Sequence, residues 1–403
     1  MRLLWSCSLT LLLFSAPVLA QQGTDPIDKK VDCSKGQSIS SAVSNLEADK
    51  NYVVHVSGTC DENVAISGFE GISLVILGDP TATVNGVAAT PGMPVFFLSN
   101  SRRVVLVNLT INTTGGTSPS ANPVGVAMTL CRGCQVANST INTDRVGMTL
   151  ADSQGNISGT TINANTAPAT GLLVFSASDA NVVNFHAHGT NKSGVGLSVD
   201  QSSRVRLSSS TPTSFSIDDF GIGISVRNAG SLEAGTVCPV TPPPPPSDPT
   251  TCMDVHDNST AVFIQSAQAF FAGLNATSNG QGIFVGNAGT LMLSGPSNIT
   301  GSTGLGAASY GLLVTHNSHA LIQGAPSSIN SISGNDGRGV AVASNSSVEF
   351  LGAPGSTTVT GNDGVLDDVA CDATSLITGT SSFTANGGIA SCATTDPLSI
   401  PIP

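Results

Sequence analysis

Charged side chains are scarce in this sequence, and basic ones are the scarcest. Asp, Glu, Lys and Arg make up 10% of the 403 residues, whereas ordinary globular proteins contain about 25%. The 14 Lys and Arg stand against 26 Asp and Glu, which gives a formal net charge of −12. Binding to nucleic acid requires a basic surface that neutralises phosphates. The composition therefore predicts no nucleic-acid partner.

Aromatic residues are also few, at 4% of the chain. The single Trp is Trp5, and the only Tyr residues are Tyr52 and Tyr310. Sugar-binding grooves commonly place flat Trp or Tyr rings against the faces of sugar rings. The sequence therefore predicts no aromatic platform for a glycan, although ladders of polar side chains remain a second way of binding one.

Long apolar runs are confined to the beginning of the sequence. Arg2 precedes a mostly apolar stretch, 3–14, and the segment closes with a small residue at Ala20. This is the pattern of a secretory signal peptide, here residues 1–20. No later segment approaches the ~20 apolar residues that a membrane span needs. We expect a secreted or periplasmic protein that is exported by this signal and has no membrane span.

The cysteines fall into near-sequential pairs once Cys7, inside the predicted signal, is set aside. An even number in an exported chain is typical of disulfide bonds, and four local bonds are the simplest interpretation, although sequence alone leaves the connectivity open. The CxxC motif could also be a redox pair or half of a zinc site, but its flanks read as strand, turn and strand, which favours a disulfide across a turn. The pairs are Cys33 and Cys60, Cys131 and Cys134, Cys238 and Cys252, and Cys371 and Cys392.

An internal repeat runs through most of the chain. The aligned blocks 282–295, 311–324 and 339–352 open and close with Gly and carry apolar residues at the same four positions. Within each pair of apolar positions the spacing is two residues, as in a strand that shows one face to a core. Such short strands, with a period of roughly 22–29 residues and no helical periodicity, predict a solenoid. The predicted fold class is all-β, a parallel β-helix of about ten coils.

Three features are expected to shape or interrupt the stack of coils. Gly-rich turns that contain Asn, such as 275–282 and 332–339, are interpreted as tight corners whose amides ladder between coils. Residues 38–48 place apolar side chains on one helical face and are expected to form an amphipathic N-terminal cap helix. A proline-rich loop is expected to interrupt the repeat at 236–252. The predicted organisation is a signal peptide (1–20), the cap helix and first coil (21–66), and the parallel β-helix (67–403).

The first coil and the recurring turns resemble the pectin-lyase-like superfamily. The resemblance rests on Val56 to Ser67 and on the repeated N-x-G-x-G turns before G-I-x-V strands. It covers nearly all of the chain after the signal and implies a single-stranded, right-handed parallel β-helix. Members include pectate and alginate lyases, polygalacturonases, epimerases and phage tailspikes. Because one fold hosts so many functions, the resemblance implies the fold and no particular activity.

Fragments of a polygalacturonase-like active site occur in the sequence. Such a site would combine Asn-Thr-Asp, paired Asp, His-Gly and Arg-x-Lys segments in that order. Residues 142–144, 188–189 and 218–219 match three of these, but their order differs and no Arg-Ile-Lys segment is present. The repeat also places Asp144 and Asp219 three coils apart, about 14 Å at ~4.8 Å per coil, whereas an inverting carboxylate pair lies ~6.5–9.5 Å apart. A polygalacturonase site is therefore not predicted.

The densest group of ionisable residues on adjacent coils contains His186, His188, Lys192, Asp218 and Asp219. A step of about 27 residues per coil places Lys192 beside Asp219, and the two His are spaced i, i+2, so both point to one side of a strand. Two carboxylates are too few for the six to eight oxygens of a calcium site. If the chain has a catalytic site, we expect it in this group. No metal and no cofactor are predicted.

The same step predicts what lies beside the two His on the flanking coils, and none of these residues is a strong third metal ligand. They are Thr161 and Asn163 on the preceding coil and Thr213 and Phe215 on the following one.

Charged residues elsewhere fall opposite one another. Asp179 should lie beside Arg204, and Arg206 beside Glu233, as exposed ion pairs that fix the register of the strands.

Two functions of different kinds remain. The few ionisable residues and the missing aromatic platform favour a non-catalytic extracellular or cell-envelope scaffold that contacts a polysaccharide, a cell-surface glycan or a protein. The superfamily resemblance favours instead a polysaccharide lyase, glycoside hydrolase or epimerase with a non-standard site around residues 186–219. We favour the scaffold. The oligomeric state is left open.

Overall fold

Short strands follow one another along the chain with almost no helix between them. In a computed structural model, every described strand lies in one of two long sheets, and every strand pairing is parallel. The all-β class with long parallel sheets is therefore confirmed. The described residues are 25–47, 49–87, 92–113, 124–209, 214–235, 253–303, 309–325, 329–362, 368–379 and 382–385.

The smaller sheet has 12 strands and the larger one has 22. The smaller sheet contains Val64–Ser67, Phe96–Ser99, Val124–Thr129, Val146–Ala151, Ala169–Phe175, Gly194–Val199, Ile222–Arg227, Thr260–Gln265, Gln281–Gly286, Leu312–Val314, Val340–Val342 and Val369–Cys371. The larger sheet contains Ile27–Asp32, Asn51–Asp61, Ser73–Asn85, Val104–Asn112, Arg132–Ala137, Thr140–Thr143, Gln154–Ala164, Asp179–His188, Arg204–Ser208, Ser216–Asp218, Ser231–Gly235, Met253–His256, Gln268–Ala272, Leu274–Thr277, Thr290–Ser294, Asn298–Thr300, His319–Gln323, Asn330–Ser333, Ser347–Leu351, Thr357–Thr360, Leu376–Thr378 and Phe383–Ala385.

Strand pairing repeats along the sequence. Met148 lies beside Val126 on one side and Leu172 on the other, and Leu172 lies in turn beside Leu197. Each strand of the smaller sheet, apart from the two at its ends, thus pairs with its equivalents in the preceding and following repeats. The 12 strands of this sheet give one strand per repeat, near the roughly ten coils that the period predicts. This arrangement is compatible with a parallel β-helix.

The core is built from the four apolar columns that the repeat predicts. Alternate residues of each strand point inward, and equivalent residues of successive repeats stack on one another. Each predicted position in the three aligned blocks is at most 1% exposed. The columns are Ile283, Leu312 and Val340; Val285, Val314 and Val342; Leu291, Ala320 and Val348; and Leu293, Ile322 and Phe350.

The Asn-containing turns are buried corners, as predicted. Asn279, Asn335 and Asn362 are at most 4% exposed. Asn335 donates from Nδ2 to Oδ1 of Asn362 over 2.7 Å, and the Ser302 backbone N–H donates to Oδ1 of Asn335 over 3.0 Å. These amides satisfy backbone groups at the corner that would otherwise be buried without a partner.

The predicted N-terminal cap helix over 38–48 is not supported. Within the described residues this region holds only a single helical turn, Ile39–Val43, after a short 3-10 turn, Cys33–Lys35. A helix this short gains little from its own hydrogen bonds, and the apolar pattern instead serves to bury Ile39 completely at the edge of the core. The neighbouring strand edge is covered by Ile27–Asp32, which pairs with Asn51–Asp61.

Two of the predicted disulfides lie in the described residues and are confirmed. Cys33 and Cys60 are bonded with their Cα atoms 5.1 Å apart, and Cys131 and Cys134 with theirs 6.0 Å apart. Cys371 is also disulfide-bonded. The other predicted cysteines, Cys238, Cys252 and Cys392, lie outside the described residues, as do the predicted signal peptide and the predicted proline-rich loop.

No helix among the described residues is long and apolar enough to cross a membrane.

Candidate functional site

One face of the larger sheet carries two adjacent columns of outward-pointing polar residues, which we call the polar strip. They alternate with a buried aliphatic column, because residues two apart in a strand share a face. The first column is Thr59, Thr83, Thr110, Thr140, Thr161, His186, Ser216, Asp254, Asn275, Asn298, Ser331, Thr358 and Thr384. The second is Asp61, Asn85, Asn112, Asn142, Asn163, His188, Asp218, His256, Thr277, Thr300, Ser333 and Thr360.

In the polar strip, His188 lies directly beside Asp218, whereas the sequence predicted that Asp218 lies farther along the strand. The preceding coil is as expected, with His188 beside Asn163. On the following coil, however, His188 lies beside Asp218 and His186 beside Ser216, so the predicted neighbour Phe215 is wrong. The other predicted neighbour, Thr213, lies outside the described residues. The reason is the length of this coil, in which the paired residues are 30 apart instead of the expected 27 or so.

A second histidine, His256, completes the group and was missed from the sequence. It lies beside Asp218 on the next coil. The expected proline-rich loop falls between these two residues and breaks the step of the repeat, so the arithmetic that found the other pairs could not reach it. A usable signal is the polar-aliphatic-polar triplet, because Asp254-Val255-His256 has the same pattern as residues 216–218.

Asp218 lies between the two histidines. Its Oδ1 is 2.6 Å from Nδ1 of His188, and its Oδ2 is 3.7 Å from Nε2 of His256. His256 also approaches two other carboxylates, at 2.9 Å from Asp257 and 3.6 Å from Asp254. The side chain of His188 is 58% exposed, whereas those of Asp218 and His256 are 20% and 29% exposed. We call these five residues the His–Asp cluster.

Of the remaining predicted site residues, Lys192 and Asp219 lie beside this cluster. The backbone N–H of Lys192 donates to the carbonyl of Asp219 over 3.0 Å, so these two residues are neighbours on adjacent coils as expected. The Lys192 side chain is exposed. His186 is separate from the cluster and has Nδ1 2.9 Å from the hydroxyl of Ser216.

A metal ion would find three ligands at one edge of the cluster. One ligand atom each from His188, Asp218 and Asp219 lie within 4.8 Å of one another. One imidazole and two carboxylates are donors that zinc and manganese accept. In the described structure, however, His188 and Asp218 already satisfy each other, and the predicted absence of a metal stays a prediction.

Negative charge dominates the environment of His256 and Asp254. Burial raises the pKa of Asp254 and outweighs the charge of His256 and the hydrogen bond from Asn275, which act to lower it; the charges of Asp218 and Asp257 act in the same direction as burial. Burial acts to lower the pKa of His256, but the hydrogen bond to Asp257 and the charges of Asp254 and Asp218 outweigh it and raise that pKa. Asp254 and His256 therefore hold their protons more tightly when the chain is folded than when it is unfolded.

The charged pairs on the neighbouring face follow the predicted register. Asp179 lies beside Arg204, and Arg206 beside Glu233. The shortest ion pairs run diagonally across the strands, from Arg206 to Asp179 at 3.4 Å and from Arg204 to Glu233 at 2.6 Å. All four side chains are substantially exposed, so each ion pair contributes little to stability.

We expect the contribution of His256 to stability to fall as pH rises. A His with a raised pKa stabilises the folded state fully below its unfolded value of about 6.5, and that stabilisation is lost as pH passes through the folded pKa. Urea unfolding of the wild type and His256→Gln should differ most near pH 5.5, by less than about 1 kcal/mol because the pairs are partly exposed. His319→Gln is the control, since the His319 ring hydrogen-bonds the hydroxyl of Ser347 and forms no ion pair with the described residues. A difference that is constant from pH 5.5 to 8.5 would contradict the pairing.

No protein-family model matches the chain, and no curated protein matches its sequence.

Proposed function

We propose that this chain is an exported, right-handed parallel β-helix of the pectin-lyase-like type that acts as a non-catalytic scaffold and contacts a glycan. The observation that carries the proposal is the polar strip, and above all its central stretch from His186 to Asn298. There the strip offers imidazole, hydroxyl, carboxylate and amide groups on successive coils. Sugar hydroxyls both donate and accept hydrogen bonds, and such a mixed set can meet both needs.

The central stretch is held in place before any partner binds. Asn275 donates from Nδ2 to Asp254 over 2.9 Å, and Asn298 donates to Oδ1 of Asn275 over 3.1 Å. The buried column behind these residues includes Val255 and Ala276, both fully buried. Side chains that are already ordered lose little entropy on binding, which favours affinity without a deep pocket.

A polysaccharide-active enzyme is the second candidate, and the His–Asp cluster is the observation that favours it. A His hydrogen-bonded to a carboxylate is a common arrangement for a general base. Against catalysis stands the exposure of His188, because acid–base chemistry is strongest where water is excluded. The scaffold therefore remains the better supported function.

One screen separates the two functions. Mature protein is offered uronate and neutral polysaccharides, and binding, unsaturated products and reducing ends are all read. We expect binding without turnover, and Asn275→Leu should weaken it about tenfold, the effect of losing ~1.4 kcal/mol of hydrogen bonding. Asn181→Leu, on a different face of the coil stack, should bind normally.

Two outcomes would contradict the scaffold. Product formed by the wild type and abolished by Asp218→Asn would make the chain an enzyme whose site is the His–Asp cluster. Binding that Asn275→Leu and Asn181→Leu weaken equally would remove the strip as the contact surface.

A further inference from the structure

The N-terminal end of the polar strip differs from the rest in its regularity. Five successive repeats each present a triplet with Thr first and Asn or Asp third, and we call these ten outward side chains the Thr–Asn lattice. The intervals between paired residues vary, at 24, 27, 30 and 21 residues, yet the triplet stays in register. The triplets are 59–61, 83–85, 110–112, 140–142 and 161–163.

The second column of the lattice is locked by its own hydrogen bonds. Asn85 donates to Asp61 and Asn112 donates to Asn85, each over 2.8 Å. Asn142 and Asn163 continue the ladder over 2.7 and 2.8 Å. Every amide Nδ2 therefore points the same way along the stack. Each amide keeps one N–H and one oxygen lone pair for a partner outside the chain.

The first column is rigid for a different reason. Thr is branched at Cβ, so its χ1 angle is restricted in a strand. The residues between the two columns anchor each strand, since they are at most 3% exposed: Cys60, Val84, Ile111, Ile141 and Ile162. Within the described part of the chain, the five Thr hydroxyls donate no hydrogen bond, and all ten lattice positions are at least partly exposed. The hydroxyls and methyl groups of this column therefore face outward in a fixed row.

The chemistry of the lattice restricts what can lie against it. Asp61 is the only charged residue among the ten, and none is aromatic, so neither an ionic ligand nor the stacked face of a sugar ring is matched. The groups repeat about every 4.8 Å between coils and about every 6.6 Å along a strand. A matching partner is neutral, is built from hydrogen-bonding groups, tolerates methyl groups and repeats in two directions on the ångström scale. Ordered water in the surface of an ice crystal has all of these properties.

We propose that the Thr–Asn lattice binds ice. The hydroxyl and amide groups hold a layer of water in positions set by the coil spacing, the methyl groups sit in the gaps of that layer, and the layer joins the crystal. This inference is independent of the proposed glycan contact, which uses the central stretch of the strip.

The test is ice activity of the mature protein, read as thermal hysteresis and as inhibition of ice recrystallisation. We expect the wild type to show both activities. Thr110→Arg places a long, charged side chain in the middle of the lattice and should remove most of both. Thr149→Arg is the matched control because Thr149 points outward from the smaller sheet, beside Ala127 and Leu173, and should retain full activity. Circular dichroism and thermal melting check that both variants are folded.

Two results overturn the proposal: a folded wild type without ice activity, or equal losses in the two Thr→Arg variants. Testing each variant for both ice activity and glycan binding separates this proposal from the glycan proposal. Asn275→Leu should keep ice activity and lose glycan binding, whereas Thr110→Arg should do the reverse. A single variant that removes both activities would contradict the assignment of two separate stretches.

Discussion

Leu172→Ala is expected to destabilise the protein by about 2–5 kcal/mol, the usual cost of emptying a buried Leu site, while Leu173→Ala should cost far less. The two residues are adjacent in the strand Ala169–Phe175. Leu172 is fully buried and stacks between Met148 and Leu197. Leu173 points to the other side of the sheet and is only partly buried.

Urea unfolding followed by circular dichroism measures both changes. Because a stack of repeats can unfold in parts, pulse proteolysis should accompany it and locate the weakened coils. Similar losses of stability for the two variants would contradict the inward and outward assignment of this strand, and with it the register of the whole core.

The repeat could be predicted from the sequence because the coils stack equivalent side chains on one another. A column such as Ile283, Leu312 and Val340 must stay aliphatic in every coil, so its spacing is visible without a structure. Corner residues such as Asn335 are constrained in the same way, since each amide forms hydrogen bonds with the neighbouring coils. Loop lengths are under no such constraint, and they vary.

This difference explains which parts of the candidate site were predictable. Lys192 and Asp219 were paired correctly because the coil between them has ordinary length at that corner. His188 and Asp218 were both singled out, but their direct contact was not, because the strand lies three residues beyond the predicted position. His256 could not be predicted from a constant number of residues per coil, because a long insertion in the sequence precedes it. Aligning polar-aliphatic-polar triplets would have found both contacts.

The prediction of a cap helix was not supported, and the physical reason is Glu62. This residue holds the segment, but it lies outside the helical pattern on which the prediction was based. Glu62 accepts hydrogen bonds from the backbone N–H of Ile39 over 2.7 Å and of Ser40 over 3.0 Å. It also accepts from the hydroxyls of Ser38 and Ser40. A carboxylate at the start of a helical turn stabilises its free N–H groups. A residue of the first coil thus holds the segment in place, so a single helical turn is enough to bury Ile39.

Glu62→Leu is therefore expected to release the turn Ile39–Val43 from the first coil. Two backbone N–H groups lose a charged acceptor, at about 1–3 kcal/mol each, so hydrogen exchange at Ile39 and Ser40 should speed up strongly. The Cys33–Cys60 disulfide still tethers the segment, so the core should unfold at nearly the wild-type urea concentration. Glu62→Gln keeps a carbonyl acceptor, so its hydrogen exchange at Ile39 and Ser40 should be faster than in the wild type and slower than in Glu62→Leu. Unchanged exchange in Glu62→Leu would mean that burial of Ile39, and not the carboxylate, holds the N-terminal segment against the coils.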